Sequence, residues 1–254
     1  MDKGVIGMNL LELNNVSHVY GDVVKSRGLD NISLTTQKGE FVAIMGPSGS
    51  GKSTLLNVIS GILPATSGSV LLAGKNIANL HDEEAALFRR STLGFVFQDF
   101  NLVETLTVRE NIMLPLMFKN EEVESMKEKS EKVAESLGIS HILNKRTQEI
   151  SGGQAQRTAI ARAIVHQPEL LLADEPTGNL DSANSDEVMK IFEDLNRNYG
   201  MSIFLVTHDV KTATYSQRVL FIKDGKIYNE IRKGNDFIEY QENILNVLNV
   251  IGGV

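Results

Sequence analysis

The sequence predicts an α/β fold with a mostly parallel core sheet covered by helices, and three observations predict it. First, short apolar runs of strand length alternate with helix-favouring patterns along most of the 254 residues. Second, four of those runs lead straight into residues with chemistry to offer: EFVAIM into Gly46, LGFVF into Gln98, ELLLA into Asp174 and Glu175, and SIFLVT into His208. Ligands of open parallel sheets bind at the carboxyl ends of the strands, so one site would collect all of these residues. Third, the glycine-rich stretch GPSGSGKST at 46–54 stands between one such strand and the helical pattern STLLNVIS.

Composition excludes several functions. Lys and Arg number 25 against 32 Asp and Glu, a formal net charge of −7, which argues against a surface that wraps nucleic acid. With no cysteine there is no disulfide framework and no thiolate metal site, as fits a reducing cytosol. No apolar run approaches the roughly 18 residues needed to span a bilayer. The start, MDKGVIGMNLLEL, lacks the apolar core of a signal peptide and reads as an ordinary terminus, with Met1 or Met8 as the start. The length suits one large α/β domain or two smaller lobes.

The glycine-rich stretch fits G-x-x-x-x-G-K-[ST] through Gly46, Gly51, Lys52 and Ser53. Backbone N–H groups across Ser48, Gly49, Ser50 and the head of the helix at Thr54 would approach phosphates, and the helix N-terminus adds a favourable dipole. Lys52 supplies charge between the β- and γ-phosphates, and Ser53 suits Mg²⁺. A glycine-rich turn with a chance lysine is the competing reading; it leaves the flanking strand and helix unexplained.

ELLLADEP adds the acid that a metal–phosphate site requires. Asp174 is the candidate metal residue, and Glu175, one step on, points elsewhere and could polarise an attacking water. Gln98 and His208, taken alone, read as ordinary polar residues at strand ends. At a shared sheet edge Gln98 can touch Mg²⁺ or the water, and His208 can hydrogen-bond the γ-phosphate. Between Gln98 and Ser151 the stretch KNEEVESMKEKSEKVAESLG (119–138) is charged and helix-favouring, with no strand signal, and reads as a helical insertion.

A second glycine-rich stretch, ISGGQAQR at 150–157, follows that insertion. Ser151 and Gln154 have capping-box spacing at the head of a helix running through QRTAIARAIVH. Gly152 and Gly153 remove side chains where a phosphate would approach, which makes a second phosphate site at a helix head. A capped helix without a ligand is the alternative.

GPSGSGKS, Gln98, ISGGQ, LLLADE, GNLD and THD, in this order over nearly the whole chain, resemble the nucleotide-binding domain of ATP-binding cassette (ABC) proteins. The resemblance implies a P-loop NTPase with an N-terminal antiparallel β subdomain and an inserted α-helical subdomain. It implies one ABC ATPase domain over 1–254: a nucleotide-binding core of 9–98 and 167–232, a helical subdomain of about 99–166, and a C-terminal amphipathic helix at 236–251. ATP and Mg²⁺ are the implied cofactors. ISGGQ of a second copy would close over the γ-phosphate held by this chain's P-loop, so that two chains sandwich two ATP molecules. Tyr20, in HVYG, would stack on adenine, although a strand-end Tyr is also ordinary packing. Asp181, in GNLD, resembles the loop that communicates between the two sites and is equally a candidate helix N-cap. Ile150 and Ala155 depart from the commoner Leu and Gln of the signature.

ADEPTGNLD and GNLDS look like the branch holding lipoprotein-extraction, macrolide-export and bacitracin-resistance cassettes. FQDFNLVETLTVRENIMLPL resembles the antimicrobial-peptide resistance (Bce-type) members. So does the tail, with apolar residues at 237, 240, 244, 247, 248 and 251. This implies an ATPase in the cytoplasm, on the inner face of the membrane, bound to a transmembrane permease; residues 99–118, directly after Gln98, are the expected permease surface, with an ordinary buried helix as the competing reading. A sensor histidine kinase would be reached through that permease. Lipoprotein extraction, macrolide export and septation-type signalling to cell-wall enzymes are the alternatives. Soluble cassettes of DNA repair or ribosomes usually carry a long coiled coil or two cassettes, and a P-loop kinase has no use for ISGGQ.

Overall fold

A computed structural model describes residues 9–21, 24–118 and 121–252. Met1 and Met8, the two candidate starts, and Lys119 and Asn120 of the charged stretch lie outside the described residues.

The larger sheet has six strands in the order β10-β9-β3-β8-β7-β6. β3 (Phe41–Met45), β6 (Leu93–Phe97), β7 (Leu170–Asp174), β8 (Ser202–Val206) and β9 (Arg218–Lys223) run parallel, and β10 (Lys226–Arg232) joins β9 antiparallel. Every residue of β3 and β8 is buried, because helices or a second sheet cover both faces; hence their unbroken apolar runs. The four strands that end in the predicted site residues are neighbours, β3-β8-β7-β6, so the expected common edge is present.

The second sheet is antiparallel, in the order β2-β1-β4-β5, made of β1 (Asn9–Tyr20), β2 (Ser26–Gln37), β4 (Ser67–Leu72) and β5 (Lys75–Asn76). Its inward residues, such as Leu11, Leu13 and Ile32, share one core with Val42 and Ile44 of β3 and with Leu55, Leu56 and Ile59 of α1 (Lys52–Ile59). α2 (Asp82–Thr92) leads into β6. A second core on the other face of the large sheet joins α3 (Val108–Met117), α4 (Val123–Ser136), α5 (Gly152–Ile164) and α6 (Ser182–Tyr199). α4 falls within the charged stretch and buries Met126, Ser130 and Ala134.

After β8 comes the short α7 (Val210–Ala213), and α8 (Phe237–Gly252) closes the described chain. α8 buries Tyr240, Ile244 and Ile251 against Val219 and Phe221 of β9, with Val247 and Leu248 partly covered. The expected stripe included Phe237, and here the structure differs: Phe237 is 51% exposed. It is the first helical residue, and its ring lies against the Lys233 ammonium, 5.9 Å from the ring centre, instead of the core. Among the described residues no helix is long and apolar enough to cross a membrane.

Candidate functional site

The chain leaves β3 at Met45 and turns through Gly46–Gly51 into α1. Two of those positions require glycine. Gly46 has φ 151°, and a Cβ on it would lie 2.1 Å from the Ile222 carbonyl oxygen; Gly51 has φ 109°, and its Cβ would lie 2.5 Å from the Gly28 oxygen. Gly51 is also the N-cap of α1, and having no side chain it leaves the first-turn N–H groups to a ligand. Lys52 curls back over the loop, its Nζ donating to the Gly46 and Pro47 oxygens at 2.9 Å each. Burial lowers the Lys52 pKa, while the carboxylates of Glu175 and Asp174 act to raise it.

β7 brings the acids to this loop. Asp174 stands in register with Phe97 of β6 and Val206 of β8, and it shares one cleft with Ser53 at the head of α1. Burial pushes its pKa up, the nearby Ser53 hydroxyl opposes this, the Glu175 carboxylate adds to it, and Lys52 opposes it. Glu175 steps off the strand with φ 47°, its N–H donating to the Val206 oxygen at 3.0 Å. That left-handed turn brings its carboxylate to His208, whose Nδ1 lies 3.2 Å from Oε2, while it still lines the cleft with Asp174. Of the two neighbouring acids, only Glu175 pairs with His208.

Gln98 follows β6 directly. Its Nε2 donates to Asn179 Oδ1 at 3.3 Å, and Asn179 Nδ2 donates to the Gln98 carbonyl at 3.1 Å and to Asp99 Oδ1 at 2.8 Å. Ser53, Gln98, Asp174 and Glu175, with Phe97, Asp99 and Asn101, line a cleft of about 310 Å³. Among the described residues no group of three or more His, Cys, Asp or Glu side chains is arranged to hold a metal. The hydroxyl of Ser53, the amide oxygen of Gln98 and the carboxylate of Asp174 are all hard oxygen donors. Three such donors fit Mg²⁺, which keeps most of its coordination for phosphate and water.

Tyr20 ends β1 on the other side of α1, 40% exposed, its hydroxyl 3.0 Å from Thr54 Oγ1. His18 meets its ring edge-on at 4.4 Å, and a Cβ on Gly28 would come within 2.7 Å of it. An exposed aromatic face is thus held beside the phosphate loop.

At the head of α5 the capping box is formed as expected: the Ser151 N–H donates to Gln154 Oε1 at 3.1 Å, and the Gln154 N–H to Ser151 Oγ at 3.3 Å. Neither these residues nor Gly152 and Gly153 line the cleft holding Ser53, Asp174 and Glu175. The structure adds a packing reason for glycine at Gly153. It is buried, and a Cβ there would lie 2.3 Å from Oδ1 of Asn184 in the same chain, so its missing side chain makes room for α6. Gly152 is exposed, and the nearest atom to its Cβ position is Leu180 Cδ2 at 3.7 Å. Ile150 packs against the helical core and Ala155 is buried, so both departures from the commoner signature sit in apolar surroundings.

Asp181 is the N-cap of α6, accepting from the Asn184 N–H at 2.9 Å and from Asn184 Nδ2 at 2.7 Å. The backbone N–H and then the side chain of Asn184 hold its pKa below the usual carboxylate value. Asn179 and Asn184 were not singled out from the sequence. Each is an amide inside a stretch read for its neighbours, and only packing shows what it touches.

A family model described as ABC transporter matches residues 29–178. The chain is similar to the ABC transporter ATP-binding protein YxdL of Bacillus subtilis, 51% identical over 245 residues that cover 96% of this chain and 95% of that one. It is also similar to the bacitracin export ATP-binding protein BceA of Halalkalibacterium halodurans, 44% identical over 249 residues, covering 97% and 98%. Among solved structures it is similar to the dimeric post-hydrolysis state of the ATP-binding cassette MJ0796 bound to ADP and Pi. That likeness has a TM-score of 0.82 at 38% identity and covers 88% of this chain and 99% of the other.

Proposed function

The chain belongs to the ABC transporter family, as an ATP-binding subunit and ATP hydrolase, and on that premise we propose that it powers a membrane permease in resistance to antimicrobial peptides. The similarity to a protein named for bacitracin export supports the peptide reading. The chain would work in the cytoplasm on the inner face of the membrane, with a sensor histidine kinase reached through the permease. Residues 99–118 receive the permease; the exposed apolar side chains of Val103, Met117 and Phe118 support this surface. Residues 9–98 and 167–232 act as the nucleotide-binding core, 99–166 as a helical subdomain and 236–251 as a closing helix.

One observation carries the catalytic reading: Glu175, with His208 Nδ1 3.2 Å from its Oε2, shares one cleft with Ser53, Gln98 and Asp174, next to Lys52. Tyr20 stacks on adenine, and Gly46 to Thr54 with Lys52 hold the phosphates. Mg²⁺, held by Ser53, Gln98 and Asp174, neutralises phosphate charge when bound. Glu175 polarises the attacking water, with His208 Nδ1 beside its carboxylate, and His208 reaches the γ-phosphate. Ser151, Gly152, Gly153 and Gln154 serve the nucleotide of a second copy; the dimeric state of the similar MJ0796 cassette supports that arrangement. Asp181 lies between the two sites.

Glu175→Gln tests the core of this assignment. The amide cannot take the water's proton, so turnover should fall at least about a hundredfold while ATP binding persists. Near-wild-type hydrolysis by the purified variant would remove Glu175 from its role. For the subclass, the neighbouring reading frame should encode a ten-helix permease with a large extracellular loop; a four-helix partner would favour septation or lipoprotein extraction.

A further inference from the structure

The residues after Gln98 carry an unusual backbone. Phe100 and Asn101, neither of them glycine, have φ of 60° and 49°, two consecutive positions in the left-handed region, which Asn tolerates but Phe avoids. Such a pair persists when its surroundings hold it. Here the holder is Arg162, in the last turn of α5: its Nη2 donates to the Phe100 carbonyl at 2.9 Å and its Nη1 to the Asn101 carbonyl at 2.5 Å. Among the described residues no carboxylate lies within ion-pair distance of this guanidinium, whose two-pronged geometry is spent on the two backbone oxygens. From the opposite side Asn179, in the loop after Glu175, holds Gln98 and Asp99.

α5 starts at Gly152 and has 13 residues, which makes it about 20 Å long. Ala155, Ala159, Ile160 and Ala161 bury it along its length. Its head is the second glycine-rich motif and its tail is Arg162.

We propose that Arg162 is a positioning residue that clasps the strained turn after Gln98, so that α5 ties the position of ISGGQ at its head to the placement of Gln98 in the chain's own nucleotide cleft. This rests on the readings given above for Gln98 and for ISGGQ. When ISGGQ is pulled against a partner's nucleotide, the shift of α5 is delivered through the two guanidinium hydrogen bonds to the turn at 100–101. A lysine cannot replace this two-pronged grip.

The test uses the full chain with Arg162→Met and Arg162→Gln. Hydrogen exchange of the 99–102 amides should quicken about tenfold or more, with ATP affinity unchanged. Turnover should fall about tenfold, and half-activation should need more Mg²⁺. Those activity losses should largely disappear in a Gln98→Ala background, where nothing remains to be positioned. Phe100→Gly in the Arg162→Met chain should restore part of the turnover, because glycine enters the left-handed region freely; a purely packing role for Arg162 predicts no such rescue. Unchanged exchange at 99–102, or a loss fully additive with Gln98→Ala, would overturn the proposal. Wild-type turnover in Gln98→Ala alone would instead overturn the role given to Gln98, and exchange at 99–102 would still decide whether Arg162 holds the turn. If neither variant folds, Arg162→Lys carries the same readouts, with faster exchange expected.

Discussion

The heads of α1 and α5 are both glycine-rich helix N-termini, and they are finished differently. At α1 the cap is Gly51, with φ 109° and no side chain, so the first-turn N–H groups are left open, beside Lys52 and the carboxylates of Glu175 and Asp174 that act on it. At α5 the cap is Ser151, which already satisfies the Gln154 N–H, while Gln154 satisfies the N–H of Ser151. One of its two glycines is filled by Asn184 from within the chain, and the other is exposed. A helix head becomes a complete phosphate cradle only where the loop before it wraps round the ligand. α1 has that loop; α5 offers a single accessible face, suited to closing over something held elsewhere.

Removing the charge at the first head should have the largest effect on binding. Lys52→Ala takes away a charge-assisted phosphate contact of about 2 kcal/mol, so ATP affinity should fall on the order of tenfold to a hundredfold, in the monomer as well as in any dimer. Calorimetry giving an unchanged affinity would erase the contrast between the two heads.

The second head should respond only when two chains meet. Gly152→Asp has room for its side chain, and an acid in the first turn of a helix favours that helix, so the monomer should fold and bind ATP as before. A carboxylate facing a partner's γ-phosphate should nevertheless block closure. In the Glu175→Gln background with saturating ATP, light scattering should report a monomer; an ATP-stabilised dimer would show that α5 does not work in trans. Gly153→Asp is the poorer probe, because its clash with Asn184 would disturb α6 within one chain.

The smallest effect should come from the acid beside the first head. Because burial raises the folded-state pKa of Asp174, the native chain binds this proton more tightly than the unfolded chain does. Stability therefore declines as pH rises from the ordinary Asp value through the raised one, and the penalty persists above it. An amide at this position carries no such penalty. Asp174→Asn should therefore raise the neutral-pH melting temperature by about 2 °C without nucleotide and flatten that part of the profile, while weakening Mg-ATP binding. A melting curve unchanged in both level and slope would mean that Asp174 is not strained by its burial.

How much of this could be read from the chain follows from what each feature depends on. β3, β6, β7 and β8 were legible because full or nearly full burial turns a strand into an unbroken apolar run. The Ser151–Gln154 box and the Asp181 cap were legible because their partners lie three residues away. The antiparallel strands β1, β2 and β4 left no comparable run, since they alternate buried and exposed positions and their registers shift. They entered only through the family resemblance.

By itself the sequence determined the glycine-rich loop before α1, the acids of β7, the capped second head and the alternation of strands and helices, since each is fixed by local spacing or by periodicity. Tertiary structure alone decided the rest. It turned Glu175 toward His208 while Asp174 faced Ser53, filled Gly153 with Asn184, tied Gln98 to Asn179, and set Arg162 against the carbonyls of Phe100 and Asn101. The reason is separation: Arg162 lies 61 residues from Asn101, and Gln98 lies 81 from Asn179. No local pattern records a contact between side chains so far apart in the chain, and only the closing of the helical layer onto the sheet brings them within hydrogen-bond reach.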